Sequence, residues 1–329
     1  MMKKFHILFI GLVSLLIMQS CNNDVDINAS YQDIVVVYGL LDSNEDTTFL
    51  KINKAFLGPE NALIMAKIPD SSEFVNKLSV KIWPEDNPSQ VYTFDTITIN
   101  NKEEGLFYNP YQQLYFTPFK PEFNTKYMLQ IFYKEMEITS EAQNIEEFTT
   151  SDISKPGFAK AIGFDYDLIN PVTWYRKDQA PRYDVTIRFH YKELWEGQAD
   201  TVYRSFVWHT ATKKATTGEE VESYYNGSSF FNALGLYVAY PDQATEDKVV
   251  SRYTGITEFI VAAAGIELNT YMEVTEPSSS IIQDRPQYSN ITNGEGIFSA
   301  RVKAVKTKVL NDETKYRIKE DFHYLKFEY

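Results

Sequence analysis

Hydrophobic and polar positions alternate along many short stretches of the chain, which is the pattern of half-buried β-strands. In 126–133, Tyr127, Leu129 and Ile131 share one face, and the other face, which mixes polar and apolar residues, is expected to be largely wet. The same alternation predicts strands in the first half of the chain at 34–40, 48–56, 78–83, 91–99, 114–119, 127–133 and 137–142. One face of each strand would pack in a core and the other would be wet, so the pattern predicts a sandwich of two sheets.

A local motif sharpens this prediction. Phe119-Lys120-Pro121 followed by Tyr127 resembles the tyrosine corner of immunoglobulin and fibronectin type III domains, in which the Tyr hydroxyl bonds to the backbone a few residues upstream. The resemblance implies an N-terminal immunoglobulin/fibronectin-like β-sandwich over 33–148. An ordinary edge-strand tyrosine is the alternative, so the fold prediction depends mainly on the number of strands.

Small polar residues and a Pro-Gly pair interrupt the alternation at 149–157 and predict a linker, with the domain boundary near Pro156. Strands follow at 182–194, 202–212, 252–263, 297–309 and 324–327. The fold class is therefore mainly β, with a second β-rich domain over 158–329 that contains one or two short helices.

Two helices are predicted within this second domain. The first, at 229–240, is capped by Ser228 or Ser229 and ended by Pro241. Its apolar stripe consists of Phe230, Phe231, Leu234, Tyr237 and Val238. The second, at 267–274, is ended by Pro277. Packing on a sheet explains both helices, so we interpret them as structural.

The N-terminus has the pattern of an export signal, with Lys3 and Lys4 ahead of an almost wholly apolar run at 5–18. That run would span roughly 21 Å as a helix, short of the hydrocarbon core of about 30 Å. We predict a cleaved signal peptide over 1–20.

The only cysteine of the chain, Cys21, ends the sequence Leu-Ile-Met-Gln-Ser-Cys, which resembles a bacterial lipobox. The resemblance implies a lipid anchor at Cys21, with membrane lipid as its partner, and a tether over 21–32. Burial of acyl chains contributes about 0.8 kcal/mol per CH₂, so two or three chains would hold the protein on a membrane. The alternative is an ordinary cleavable signal followed by an unrelated cysteine.

The chain is strongly acidic, with a formal net charge of −13 at pH 7. Removal of Lys3 and Lys4 with the signal would make it more negative. Such a chain is repelled by phosphate backbones, which excludes nucleic acid as an expected partner.

Catalytic and metal-binding motifs are not evident. The four histidines are scattered without metal-ligand spacing, and neither a G-x-S-x-G elbow nor a phosphate-binding glycine loop occurs. Asp42, Asn44 and Asp46 begin like a calcium loop, but Thr47 and Asn53 replace its required Gly and Glu. We therefore interpret this segment as a turn, and we predict a protein without cofactor, metal or catalytic residues that is not an enzyme.

Trp174 and Tyr175 are the candidate ligand-binding residues. They fall in a predicted loop between Pro171 and Pro181, where large aromatic side chains can stack on a sugar or a peptide. Folding back onto the domain junction is the alternative interpretation.

Three threonines lie in Asp-Thr-apolar or Asp-Thr-Thr triplets that resemble the short O-glycosylation signal of exported Bacteroidota proteins. They are Thr47, Thr96 and Thr201. The resemblance implies a glycan at these positions if the side chains are exposed.

Longer stretches resemble a family of Bacteroidota outer-membrane lipoproteins to which no chemistry is assigned. They are the lipobox, VVVYGLLDSNEDTTFLKINKAFLG, the YxLxI strand, EFIVAAAGIELNTYMEVTEP and NGEGIFSAR. Because members are often encoded beside TonB-dependent receptors, the resemblance implies a lipid-anchored outer-membrane protein, surface-exposed or facing the periplasm, that binds a nutrient or a partner protein in TonB-dependent uptake. The ligand would be a glycan or a peptide. Alternatives are a surface adhesin or assembly component, and a glycan-acting hydrolase with two facing carboxylates.

Overall fold

The computed structural model describes residues 34–55, 62–215, 220–276 and 287–328. The predicted signal peptide, Cys21 and the tether lie outside the described residues, so those predictions stay predictions. The described chain is mainly β, as predicted.

The strands are β1 Ile34–Asp42, β2 Thr48–Ala55, β3 Ser79–Pro84, β4 Tyr92–Thr93, β5 Asp95–Asn100, β6 Tyr111–Thr117, β7 Lys126–Tyr133, β8 Met136–Gln143, β9 Ile153–Lys155, β10 Ala161–Ile162, β11 Ile169–Tyr175, β12 Arg182–Trp195, β13 Val202–Lys214, β14 Glu220–Asn226, β15 Val249–Ala264, β16 Glu295–Leu310 and β17 Phe327–Glu328. The helices are α1 Ala62–Met65, α2 Pro69–Ser72, α3 Gly227–Tyr237, α4 Gln243–Asp247, α5 Ile266–Thr275 and α6 Asp312–Asp321. Single 3₁₀ turns occur at Thr150–Asp152 and His323–Leu325.

The largest sheet joins the two halves of the chain. Its strand order is β13-β12-β15-β16-β1-β2-β6-β5, with β10 beside β16 and β17 beside β15. The central β1 and β16 pair in parallel, Tyr38 opposite Ile297. Strands from both sides of the predicted boundary therefore share one sheet.

The predicted linker at 149–157 also differs from the structure. It contains a 3₁₀ turn and then β9, whose Ile153 is buried and pairs with β11. Turn residues indicate only that the local periodicity is interrupted. The pairing of β1 with β16, in contrast, joins distant parts of the chain. Local sequence patterns do not record that pairing.

The first half forms the predicted sandwich. A four-stranded sheet of order β4-β3-β7-β8 contributes one wall, and β1, β2 and β6 of the largest sheet contribute the other. Alternate residues of both walls belong to one core, among them Val35, Val37, Leu50, Ile52, Val80, Ile82, Leu129, Ile131 and Ile138. The Leu78 N–H donates to the Tyr115 hydroxyl at 3.0 Å, which ties the two walls together.

The tyrosine corner is confirmed. The Tyr127 hydroxyl accepts a hydrogen bond from the Glu122 N–H at 2.9 Å. An equivalent contact in the second half joins the Tyr183 hydroxyl to the Lys177 N–H at 2.8 Å, which was not predicted. Burial raises the pKa of both hydroxyls to about 12, so both stay neutral donors and acceptors at physiological pH.

In the second half, a three-stranded sheet of order β14-β11-β9 and helix α3 accompany the long strands. The predicted stripe of α3 is buried at Phe230, Phe231, Leu234 and Val238, whereas Tyr237 is exposed. The helix starts at Gly227, and Asn226 caps it by accepting the Ser229 N–H at 2.7 Å, so the predicted serine cap is wrong. Asn and Ser serve this role about equally well, which is why sequence did not distinguish them.

Some elements were missed. Trp174 and Tyr175 were predicted to lie in a loop between Pro171 and Pro181, yet both belong to β11, and Pro171 lies within that strand. β9 pairs only with Thr173 and Trp174, so Pro171 lies where β11 has a single neighbour. Helix α6 was also missed.

Among the described residues, no helix combines the length and the apolar character needed to cross a membrane.

Candidate functional site

The candidate site is an open groove of about 440 Å³ on the outer face of the largest sheet, which we call the β1 groove. It is lined by Tyr38, Gly39, Leu40, Asp42, Glu45, Thr47, Phe49, Leu50, Lys51, Leu114, Leu268, Tyr271, Ile297 and Arg301. Its size and its mixture of aromatic, aliphatic and charged side chains are typical of small-ligand sites.

Strand alternation produces the floor of the groove. Val35 and Val37 face the core, so Tyr38 and Leu40 are directed outward on β1. On β2, Leu50 and Ile52 face the core, and Phe49 and Lys51 are directed outward. The register places Tyr38 opposite Lys51. Tyr38 and Phe49 each remain about half exposed.

Helix α5 forms one wall of the groove. Ser299 of β16 fixes the start of this helix, because its hydroxyl accepts the Leu268 N–H at 3.1 Å and donates to Glu267 at 2.9 Å. One turn later, the Tyr271 ring meets the Tyr38 ring edge-on with centroids 6.5 Å apart. Burial raises the pKa of Tyr38, and its hydrogen bond with Tyr271 adds to the rise. The Tyr38 hydroxyl is therefore a neutral hydrogen-bonding group.

Charged side chains at the rim are paired. Arg301 Nε lies 3.0 Å from Asp42 Oδ2, and Lys303 Nζ lies 3.0 Å from Glu45 Oε1. Lys51 Nζ donates to the Gln113 carbonyl at 3.0 Å and lies 3.5 Å from Glu73 Oε1. The hydrogen bond from Lys303 lowers the pKa of Glu45. The rim therefore presents fixed ion pairs beside aromatic faces.

The predicted ligand-binding residues, Trp174 and Tyr175, do not line the β1 groove. Trp174 is 0% exposed in β11, and its ring packs 5.4 Å from that of Tyr183, so it has no access to a ligand in solution. Tyr175 is directed outward and is 48% exposed. The prediction that both lie on a loop is wrong, since the alternation of β11 turns the two side chains to opposite faces.

The three predicted glycosylation threonines are all half-buried. Thr47 lines the β1 groove, Thr96 lies in β5, and Thr201 immediately precedes β13. Their glycosylation stays a prediction.

The segment around Asp42 is a turn, as predicted. Asp42 Oδ1 accepts the Asn44 N–H at 3.0 Å, and Asn44 Oδ1 accepts the Lys303 N–H at 2.8 Å. These oxygen atoms are thus already engaged. Throughout the described ranges, no group of three His, Cys, Asp or Glu side chains is placed to hold a metal ion.

Sequence reasoning missed the β1 groove. The available signal was the outward position of Tyr38 and Phe49, where an alternating strand on a wet face usually carries a polar residue. Helix α5 was predicted, but its position against β16 depends on tertiary contacts.

Fold and site together define a mainly β protein, sandwich-like in its first half, with an open aromatic groove on its largest sheet. No protein-family model matches the chain, and no curated protein matches it. Among solved structures, the crystal structure of CBD12 from CALX1.2 is 8% identical over 82% of this chain and 100% of that one, with a TM-score of 0.16.

Proposed function

We propose that this protein is a lipid-anchored outer-membrane protein, without catalytic activity, that binds a neutral glycan in the β1 groove beside a TonB-dependent uptake system. The observation that carries the proposal is the groove itself, in which Tyr38, Phe49 and Tyr271 stand beside paired charges. Aromatic rings can cover the apolar faces of a sugar, and hydroxyl and charged groups can bond to its hydroxyls.

The charge of the groove supports a neutral ligand. Two acidic residues, Asp42 and Glu45, and two basic residues, Lys51 and Arg301, line it. A charged ligand would have to break or compete with their ion pairs, whereas a neutral one can bond to them where they stand.

Strand pairing supports a glycan over an extended peptide. β1 lies between β16 and β2, and β2 lies between β1 and β6. Their backbone groups are engaged on both sides along most of the groove floor, so a peptide cannot bind there by adding a strand. Recognition must use side chains alone.

The state of the carboxylates supports binding over hydrolysis. Glycoside hydrolysis needs one carboxyl group with a raised pKa to act as a general acid. The pKa of Glu45 is instead lowered by the hydrogen bond from Lys303, and Asp42 forms an ion pair with Arg301. The exposed Glu45 carboxylate is suited to accept hydrogen bonds from hydroxyl groups.

The predicted anchor supports a role close to the membrane. Cys21 precedes Tyr38 by 17 residues, which span at most about 60 Å when fully extended. A glycan in the groove would thus be held within reach of a transporter in the same membrane. Replacement of Cys21 by Ala should release the protein from the membrane pellet, and a pull-down from solubilised outer membrane should recover a TonB-dependent receptor.

Calorimetric titration with a panel of neutral oligosaccharides tests the binding step. We expect Tyr38→Ala and Phe49→Ala each to weaken binding about three- to tenfold, the loss of one aromatic contact. Tyr203→Ala is the matched control, because Tyr203 is 72% exposed on β13, outside the groove. An absence of saturable binding across the panel, or an equal loss in the control, would overturn the proposal.

A further inference from the structure

Two buried lysines follow one another on the inner face of β16. This face carries the apolar residues Phe298, Ala300, Val302 and Ala304, all buried. The next two positions in the same alternation are Lys306, 9% exposed, and Lys308, 5% exposed. Lysine is almost never this deeply buried unless it is paired, so the two ammonium groups require an explanation.

Their hydrogen-bond partners are backbone carbonyls. Lys306 Nζ donates to the Ile153 carbonyl at 2.5 Å. Lys308 Nζ donates to the carbonyls of Gly157 and of Ala159, the latter at 2.6 Å, which leaves one of its three hydrogens. Within the described part of the chain, no carboxylate lies within ion-pair distance of either lysine. Two like charges therefore sit side by side without a counter-charge.

This arrangement is energetically unfavourable as it stands. Carbonyl dipoles satisfy hydrogen bonds but do not neutralise charge, and a buried charge without a counter-ion is costly. Burial lowers the pKa of both lysines, and the neighbouring Lys308 adds to the effect on Lys306. An anion next to Lys308 would offset this cost.

A cavity of about 320 Å³ lies at Lys308. Its lining includes two further residues whose side chains carry donors, Tyr225 and Asn170, on strands paired at these two residues. Neither side chain has a hydrogen-bond partner among the described residues. The exposed Lys155 lies at the rim, and the lining includes no Asp or Glu.

We infer that this Lys308 cavity is a binding site for a small oxyanion, a phosphate, sulfate or carboxylate group, held by the Lys308 ammonium together with Tyr225 and Asn170. All three groups can donate to oxygen, and the cavity has room for an anionic group carried on a single sugar ring. The site is independent of the β1 groove, since it lies on the inner side of β16 and shares no lining residue with the groove.

Calorimetric titration of the full-length protein in neutral detergent, at constant ionic strength, tests this site. The probes are phosphate, sulfate and D-glucuronate, which separate inorganic anions from a sugar carboxylate, and glucose is the uncharged control. We expect saturable binding of at least one anion and a weakening of at least about tenfold in Lys308→Met, which corresponds to 1.4 kcal/mol.

Matched variants separate the cavity from general charge effects. Lys303→Met removes the same charge from the outer face of β16 and should leave anion affinity unchanged. Tyr225→Phe removes only the hydroxyl and should weaken binding about threefold. Phe49→Ala, in the β1 groove, should have no effect on anion binding.

If Lys308→Met fails to fold, Tyr225→Phe and Asn170→Ala decide the question. Three results would overturn the inference: no saturation by any of the three anions, glucose bound as tightly as the anion that binds best, or folded cavity variants that bind that anion as tightly as the unaltered protein.

Discussion

Replacement of Arg252 by Met tests the buried charge network at the β12–β15 pair. Arg252 is 0% exposed, and its guanidinium donates to Glu246 at 2.6 and 2.8 Å, to Glu193 at 3.0 Å and to the Leu325 carbonyl at 2.8 Å. Glu193 also accepts from Arg204 and Tyr240. One guanidinium thus pairs with two buried carboxylates.

The expected loss of stability follows from what remains after the substitution. Met fills similar volume, so little packing is lost, but Glu246 keeps only the Tyr240 N–H among its side-chain hydrogen bonds. Removal of one partner of a buried ion pair lowers the free energy of unfolding by about 3–5 kcal/mol. With an m-value of about 3 kcal/mol per molar urea, the unfolding midpoint should fall by more than about 1 M.

Urea unfolding followed by tryptophan fluorescence measures this shift. Arg204→Met is the matched control, because Arg204 contacts the same Glu193 but its side chain is 43% exposed. An exposed pair contributes about 1 kcal/mol or less. If the two variants lose the same stability, burial is not what makes Arg252 important.

The stability difference between the unaltered protein and Arg252→Met should also depend on pH. Burial alone would raise the pKa of Glu246, but hydrogen bonds from Arg252 and the Tyr240 N–H hold it below its ordinary value of 4.5. A lowered pKa stabilises the fold above the unfolded-state pKa, and that contribution is lost as the pH falls through the folded-state pKa. The gap between the unaltered protein and Arg252→Met should therefore narrow below pH 4.5. A constant gap between pH 7 and about 3 would contradict this origin.

Two further substitutions test the backbone and the tyrosine corner. Gly296 has φ +110°, and a Cβ there would lie 2.0 Å from the Val37 carbonyl oxygen, so Gly296→Ala should lower the free energy of unfolding by more than about 3 kcal/mol. Gly197 has φ +73° but open space around it, so Gly197→Ala, the control, should lower it by about 1 kcal/mol. Equal urea midpoints for the two variants would rule out the contact with β1 as the cause. Tyr127→Phe leaves the Glu122 N–H without its acceptor and should cost about 1–3 kcal/mol in the same assay; an unchanged midpoint would mean that water replaces the hydroxyl without loss.

Local alternation was sufficient for much of the secondary structure. The strand predicted at 127–133 is β7, Lys126–Tyr133, and the one predicted at 182–194 is β12, Arg182–Trp195. The corner at Tyr127 was also predictable, because its motif spans only a few residues. Where strands begin, and which side chains share a face, depends on neighbours in sequence, and the sequence contains that information directly.

Burial of individual residues was less predictable. Trp174 was placed on a loop by the flanking prolines, but it lies in the core because β9 and β14 happen to flank β11 there. The sequence predicts a strand at 297–309 but does not distinguish Lys306 and Lys308 from exposed lysines. In the folded chain, the segment 153–159 covers both side chains, and their ammonium groups donate to the carbonyls of 153, 157 and 159.

The sequence by itself determined the fold class, the approximate strands and one corner motif. Tertiary structure alone decided that β1 pairs with β16, that α5 stands beside Tyr38, and that Tyr225 and Lys308 line one cavity. The physical reason is one of range: periodicity fixes which face of a strand is apolar, whereas the neighbour of that strand is chosen by packing between segments far apart in the chain. Both candidate sites lie where such distant segments meet.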